Sequence, residues 1–483
     1  MERPEPEAQR SEKSAGPRVG WGISVADAVA LSLLAAALWT FFAGSSRGLL
    51  FGAPFSLTFV HAAFAAALLL TARHAIRPQP SLLERVRGWS RRIRDAENLR
   101  IAAAASTTRP LILLVGYLAV VAIGVSPEAA GLRSSRDPLA DLPFRYDAGW
   151  YGGIAVNGYD REIRTNSQRN SAFFPAYPML MRAVGASFGM YGAGLPGDAR
   201  MVRALWSGVA ISLGAFFLAM WYFVKLSRDM LGDARASVPP ALLAAYPFAV
   251  FFSAPYTESL FLLGTIAAVY HFRRSEWIAA AIWGLLVGLT RPNGCFLSAA
   301  LAIAALADAR TSPSPDRRQL IRALMAAAAP AIGMLAFTAY LYEVTGVWFA
   351  WRESHIAWGR TFQGVGPIIE GISYIESQGL LRAAAARPID TLDALSLVFA
   401  LAMVVPVVRR VGVAWAAFVL INIVPPLFAG GLMSMGRITS TLFPLFIALA
   451  AVIPARAVPA WTTAFALLQG LVAVLFFTWR HMI

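Results

Sequence analysis

The chain has one cysteine, Cys295, and only two lysines, Lys13 and Lys225, among 483 residues. A single thiol excludes an internal disulfide, and no cysteine and histidine cluster has metal-ligand spacing, so neither a disulfide scaffold nor a metal centre is expected. No cofactor is implied either. Charge is scarce too: 14% of residues are charged against 58% hydrophobic, and the mean hydropathy is +0.58. No water-soluble domain of this length needs so apolar a composition to bury its core. Apolar runs of roughly 16 to 23 residues recur from Ser24 onward, and a helix needs about 20 residues to cross a bilayer core about 30 Å thick. The composition therefore predicts an all-α, polytopic transmembrane protein with about 13 spans.

The net charge of +15 is almost wholly arginine. A basic soluble protein would suggest nucleic acid, but here the arginines sit in short segments between apolar runs, which is how cytoplasmic loops are marked, and nucleic acid is not an expected partner. Arginine-rich, lysine-poor usage points to a bacterial chain and hence to a plasma membrane. Met1 to Gly20 is polar, mixed in charge and without a signal-peptide core, and reads as a disordered cytoplasmic tail. Two spans, Ser24 to Phe42 and Phe51 to Ala72, precede a basic stretch from Arg73 to Arg100 that must lie inside. The domain reading is thus a tail over 1–20, two N-terminal spans with a basic loop over 21–108, and a membrane domain over 109–483. Later spans are expected at Leu111–Val125, Val202–Val224, Val238–Phe252, Thr257–His271, Trp277–Leu289, Cys295–Leu306, Ala323–Tyr342, Leu392–Val408, Val413–Phe428, Ile438–Ile453 and Trp461–Thr478. With this order Lys225, Arg228 and Arg235, then Arg273 and Arg274, then Arg310, Arg317, Arg318 and Arg322, then Arg409 and Arg410, and finally Arg456 fall on the same side as the Arg73 to Arg100 stretch. The other side carries two long loops, Ser126 to Arg200 and Glu343 to Asp390, and three short turns.

The first long loop contains FRYDAGWYGGIAVNGYD, Phe144 to Asp160, in which Asp147 lies close to Trp150, Tyr151 and Tyr159. A carboxylate beside aromatic rings suits sugar chemistry, since it can take a proton from an attacking hydroxyl while ring faces pack on a pyranose. The plain alternative is an exposed acid beside aromatics that dip into the membrane interface. SAFFPAYPMLMRAVG, Ser171 to Gly185, follows and reads as the start of an interfacial helix, with Tyr177 between two prolines. The short turns hold Glu258 in PYTES, Arg291 in TRPNG and Arg437 in MGR. An ionisable group at a span end is a functional candidate, although it can also snorkel to the surface. Arginine suits a phosphate leaving group because its planar fork donates paired hydrogen bonds. His355 with Arg352, Glu353 and Arg360 in the second long loop could contact an acceptor, but the preferred reading is a plain solvated segment.

The order of these motifs resembles the PIG-V family of mannosyltransferases within the C-type (GT-C) integral membrane glycosyltransferases. The matching stretches are Arg145-Tyr146-Asp147, Trp150-Tyr151, Ile154-Ala155, Gly158-Tyr159, Phe173 to Pro178, Pro255 to Ser259, Thr290 to Gly294 and Gly436-Arg437. Tyr146 stands where the family usually has tryptophan, and the two N-terminal spans look like an addition. The resemblance implies an inverting transfer of a sugar, mannose by family, from a polyprenyl-phosphate donor to a hydroxyl of a lipid, protein or glycan acceptor on the non-cytoplasmic face. It marks Asp147 as the catalytic acid of the first loop. Arg145, Tyr146, Trp150, Tyr151, Tyr177, Tyr256, Glu258, Arg291 and Arg437 are then the candidate substrate-binding residues.

A transporter or flippase for lipid-linked sugars would share the spans and the basic charge, but should place its charged groups at mid-span around a central path. Here they gather at one face. The orientation is directly testable: cysteines introduced at Ser135 and Gln363 should react with a membrane-impermeant thiol reagent in intact cells, whereas one at Ser90 should not. The opposite labelling pattern would invert the topology and remove the proposed site.

Overall fold

A computed structural model describes residues 21–43, 46–50, 53–57, 59–76, 96–129, 131–161, 168–192, 194–313 and 316–480. The tail Met1 to Gly20 and most of the basic stretch, Arg77 and Arg85 to Arg94, lie outside the described residues. Two compact units divide the chain, Met1–Ala96 and Glu97–Ile483.

In the first unit, α1 (Trp21–Ala43) and α2 (Phe59–Ile76) pack along each other and are joined by a small antiparallel hairpin, β1 (Ser46–Leu50) and β2 (Ala53–Leu57). The hairpin departs from the purely helical expectation and displaces the start of the second predicted span from Phe51 to Phe59. Asp27 and Arg73 meet at 2.9 Å between the helices, both buried. Either charge alone in so apolar a pair would cost several kcal/mol.

The second unit begins within α3 (Ala96–Ser106) and continues through α4 (Thr108–Ala122). The first long loop then carries α5 (Pro138–Asp141), α6 (Ala148–Asn157) and α7 (Ala176–Ser187), so it is built of short helices. There follow α8 (Gly197–Leu231), α9 (Val238–Ala245), α10 (Glu258–Arg273), α11 (Trp277–Gly288), α12 (Phe296–Thr311) and α13 (Arg317–Thr345). The second long loop carries α14 (Ala350–Ile356), α15 (Gly366–Gln378) and α16 (Leu380–Ala386). The chain closes with α17 (Pro388–Arg410), α18 (Val413–Gly430), α19 (Met435–Ser440), α20 (Phe443–Val452) and α21 (Val458–Phe477). Among the described residues, seven helical stretches are long and apolar enough to cross a membrane: Ala96–Ala122, Gly197–Leu231, Pro292–Thr311, Arg317–Thr345, Pro388–Arg410, Val413–Gly430 and Ala455–Phe477. The fold class is therefore that of a helical membrane protein.

Two of the expected spans are interrupted, in each case near a proline. Residues 238–252 form α9 and then a 3-10 helix, Pro247–Phe252, because Tyr246 before Pro247 is extended, with ψ 141°. The carbonyls released at this break sit in the apolar interior and must find donors. Arg109 supplies them to Ala244 and Ala249, and the Gln469 amide supplies them to Ala244 and Tyr246 at 3.0 and 2.8 Å. Residues 438–453 are interrupted at Thr441 and Leu442, between α19 and α20, and Pro444 lies in the first turn of α20. The first break returns the chain toward the cavity at Glu258; the second frees α19 to carry Arg437.

At the centre, α10 is buried without interruption from Glu258 to Tyr270, between α8 and α11. A helix that is apolar on every side belongs inside. Next to it α11 crosses α13 at small residues, and a Cβ on Gly288 would collide with the carbonyl of Pro330. Gly288→Leu should therefore force the two helices apart at a cost of about 1–3 kcal/mol. Thermal unfolding of the detergent-solubilised protein should show a lowered midpoint; an unchanged one would contradict this close crossing.

Candidate active site

Four charged residues from distant parts of the chain converge. Asp147 precedes the first turn of α6, Glu258 opens α10, Arg291 stands one residue before the 3-10 turn Pro292–Cys295, and Arg437 lies in α19. Arg437 Nη1 donates to Asp147 Oδ2 at 2.6 Å, and its Nε donates to Glu258 Oε1. Arg291 Nη1 donates to the same Glu258 oxygen at 2.9 Å. The Glu258 side chain is 0% exposed, whereas that of Asp147 is 14% exposed. One carboxylate is thus buried beneath two arginines, and the other reaches open space.

That space is a cavity of about 190 Å³ lined by Asp147, Tyr151, Phe173, Arg291, His355, Trp358, Arg360 and Arg437, among others. Its aromatic wall is layered: Trp150 stacks on Phe173 at 5.8 Å and 13°, and Trp358 meets both rings edge-on. Tyr151 touches Phe173, Tyr177 and Tyr256 edge-on. Burial raises its phenol to about 12, so it stays protonated at neutral pH.

Electrostatics separates the cavity's cations. Burial lowers the pKa of Arg291, against the pull of Glu258. Burial works against Arg437 as well, but Glu258 and Asp147 outweigh it and hold its proton more tightly than usual. Arg437 also lies over the faces of Tyr256 and Phe251, 4.6 and 5.2 Å from the ring centroids. Burial lowers His355, with the Trp351 carbonyl opposing. Its Nδ1 lies 2.6 Å from that carbonyl, which can only accept, so the neutral ring carries its proton there and leaves Nε2 as an acceptor.

Several candidate residues hold the site from behind without lining this cavity. Arg145 is buried and clamps the loop, with Nε donating to the Phe477 carbonyl at 2.7 Å and Nη1 to Asp141 Oδ2 at 3.0 Å. Tyr256 Oη donates to the Arg145 carbonyl at 2.9 Å and accepts from the Asp147 amide at 3.0 Å. Between them Tyr146 has φ 47°, an uncommon conformation for a bulky residue, and packs on Phe476 and Trp479. Tyr177 Oη bonds Gly208 and Ser212, both at 2.7 Å, and fixes α7 to α8. Trp150 is one layer removed, behind Phe173 and Trp358.

The second long loop corrects the expectation of a plain solvated segment. Arg352 and Glu353 are exposed and pair with each other at 3.3 Å, but His355, Trp358 and Arg360 form part of the cavity wall. Asp393, which the sequence reading passed over, is buried in α17 and accepts from the Gly436 amide at 2.6 Å, which anchors the turn bearing Arg437. Gly436 itself must be glycine there, because a Cβ would enter the Phe248 ring. The Asn293–Asn422 bond at 2.7 Å ties the Arg291 turn to α18. Among the described residues no group of three or more histidine, cysteine, aspartate or glutamate side chains could hold a metal ion.

Fold and site together define a multispan helical membrane protein with an acid and arginines at the mouth of an aromatic cavity. Comparison with known proteins agrees with the resemblance read from the motifs. Residues 139–345 match the mannosyltransferase (PIG-V) family, a stretch that contains Asp147, Glu258 and Arg291 but ends before Arg360 and Arg437. A curated relative, GPI mannosyltransferase 2 of Drosophila pseudoobscura pseudoobscura, is 27% identical over 218 residues, covering 40% of this chain and 46% of the relative. This chain thus matches less than half the length of that relative. Two solved structures of the Archaeoglobus fulgidus oligosaccharyltransferase align over 77% and 80% of this chain and 53% and 56% of theirs. They are 14% and 13% identical, with TM-scores of 0.37 and 0.38.

Glu258→Gln would leave two largely buried guanidiniums, 15% and 12% exposed, facing each other across a neutral amide. It should cost about 3–5 kcal/mol, the scale for removing one partner of a buried ion pair. Unfolding of the purified variant should show this loss; wild-type stability would mean that the arginines find other partners.

Proposed function

We propose that the chain is a membrane glycosyltransferase that moves a hexose, mannose by family likeness, from a polyprenyl-phosphate donor to an acceptor hydroxyl. The observation that carries the reading is the Asp147 carboxylate, held at the cavity by Arg437 while both cavity arginines that touch Glu258 are fixed from below. Arg437 engages Oδ2, so the carboxylate cannot swing freely and Oδ1 is left to accept a proton. The acceptor oxygen attacks the anomeric carbon, its proton passes to Asp147, and the bond to phosphate breaks with its electron pair leaving on the phosphate oxygen. Aromatic faces of Tyr151, Phe173 and Trp358 suit the apolar side of the sugar ring.

The cavity sits on the non-cytoplasmic face of a bacterial plasma membrane in this reading, where a lipid-carried donor can enter sideways and a nucleotide sugar cannot reach. Residues 109–483 form the transferase domain, and the spans before it are an addition. The transporter alternative is disfavoured because the charged cluster is assembled at helix starts, with Glu258 first in α10 and Asp147 ahead of α6.

Membranes containing the protein should transfer radiolabel from polyprenyl-phosphate mannose to an acceptor. Asp147→Asn keeps the shape of the side chain but removes the basic oxygen, and turnover should fall by about 10²-fold or more. Asp160→Asn should be milder, since Asp160 is half exposed and its contact with Arg169 is a long one, at 3.9 Å. Near wild-type turnover in Asp147→Asn at matched abundance would sink the assignment. Export of the label without transfer would favour the transporter.

A further inference from the structure

The three arginines of the cavity are not equivalent. Arg437 is committed on two sides, to Asp147 and Glu258, and is covered by aromatic faces. Arg291 is committed to Glu258 and lies 5.7 Å from the centroid of the Phe261 ring. Arg360 has no carboxylate within 4.0 Å among the described residues. Its Nη2 donates to the Met433 carbonyl at 3.1 Å, and its Nη1 is buried without a hydrogen-bond partner. The loop before α15 holds it in place through the Gln363 amide, which donates to the Phe428 carbonyl at 2.8 Å.

A guanidinium does not shed its proton to escape such a position. Burial and the neighbouring Arg437 both disfavour its charge, with Asp147 the largest opposing influence. His355, neutral beside it, supplies no counter-charge. The arrangement lacks one anion, and Arg360 is part of the lining of the cavity that would receive it.

We propose that Arg360 is the phosphate-binding residue of this cavity, and that it takes the non-bridging oxygens of a lipid-linked monophosphate while Arg291 and Arg437 hold the two carboxylates in position. The proposal rests on the donor reading above. In the donor the phosphate is a diester with one negative charge; when the anomeric carbon–oxygen bond breaks, the electron pair stays on the phosphate and the charge that Arg360 meets increases. The proton released by the acceptor goes to Asp147, so the step balances without a further reactant.

Binding separates this idea from the activity. The full chain in detergent is titrated with a short-chain polyprenyl phosphate, with the corresponding polyprenol and with inorganic phosphate. Wild type should prefer the phosphate over the alcohol, and inorganic phosphate should compete only weakly because it lacks the chain. Arg360→Gln should lose roughly tenfold or more of the affinity for the phosphate, with that for the alcohol unchanged. Arg360→Lys should recover part of it, which a merely packing role would not predict. Equal phosphate binding in wild type and Arg360→Gln would overturn the assignment of Arg360 and leave the donor reading intact. No preference for phosphate over alcohol in wild type would overturn both. Competition by inorganic phosphate as strong as that of the lipid would make the site one for free anions and overturn the lipid-linked ligand.

Discussion

A carboxylate buried under two guanidiniums is the constraint from which the geometry of the site follows. Glu258 has no exposure, and an ionised acid there is tolerable only with partners in contact. Arg291 and Arg437 are therefore bound to that one place, although they come from segments far apart in the chain. Once Arg437 is fixed, its remaining donor fixes Asp147. Asp147, Arg291 and Arg437 keep a small exposure, 14%, 15% and 12%, and all three line the cavity.

The network requires helices to begin inside the protein, and that has its own backbone cost. Glu258 can stand at the start of α10 only because the chain breaks at Tyr246 and Pro247, a break that strands carbonyls in an apolar interior. Arg109 and Gln469 meet that need, so one buried arginine of this protein serves the backbone and is not a site residue. Asp393 plays a comparable part for the turn at Gly436. Charge in the apolar interior thus has two uses here, closing helix breaks and building the cavity. Only the partners tell them apart.

That distinction explains what was legible in the sequence. Glu258, Arg291 and Arg437 stood out because a charge at the end of an apolar run is rare, and Asp147 because it is an acid among aromatic residues in the first long loop. Arg360 and His355 were read first as a solvated segment, because Arg352, Glu353 and Glu370 surround them in a loop where charge is ordinary. Arg145, Tyr177 and Tyr256 carry polar atoms near the right motifs, but their hydrogen bonds run to carbonyls and to Ser212, which composition cannot foresee. The helix breaks were in principle readable: Pro247 and Pro444 lie inside the apolar runs assigned to spans, and hydropathy hid them.

The charge count of the cavity bears on turnover as well as on binding. Arg291, Arg360 and Arg437 face Asp147 and Glu258, and with His355 neutral the sum is one positive charge. A lipid phosphodiester with one negative charge would neutralise it. The monoester left after transfer has a second pKa near 6 and carries nearly two charges at neutral pH. With the acceptor's proton on Asp147 the cavity holding that monoester is still neutral overall. Passing that proton to solvent restores the carboxylate and leaves one negative charge in excess, so repulsion between Asp147 and the leaving phosphate appears as the site resets. In a partly buried setting with effective dielectric of about 20, like charges a few ångströms apart repel by a few kcal/mol. On the proposed donor reading, a site balanced for the phosphodiester is unbalanced for the monoester once Asp147 has reset, so the cavity that admits the donor would not trap the product.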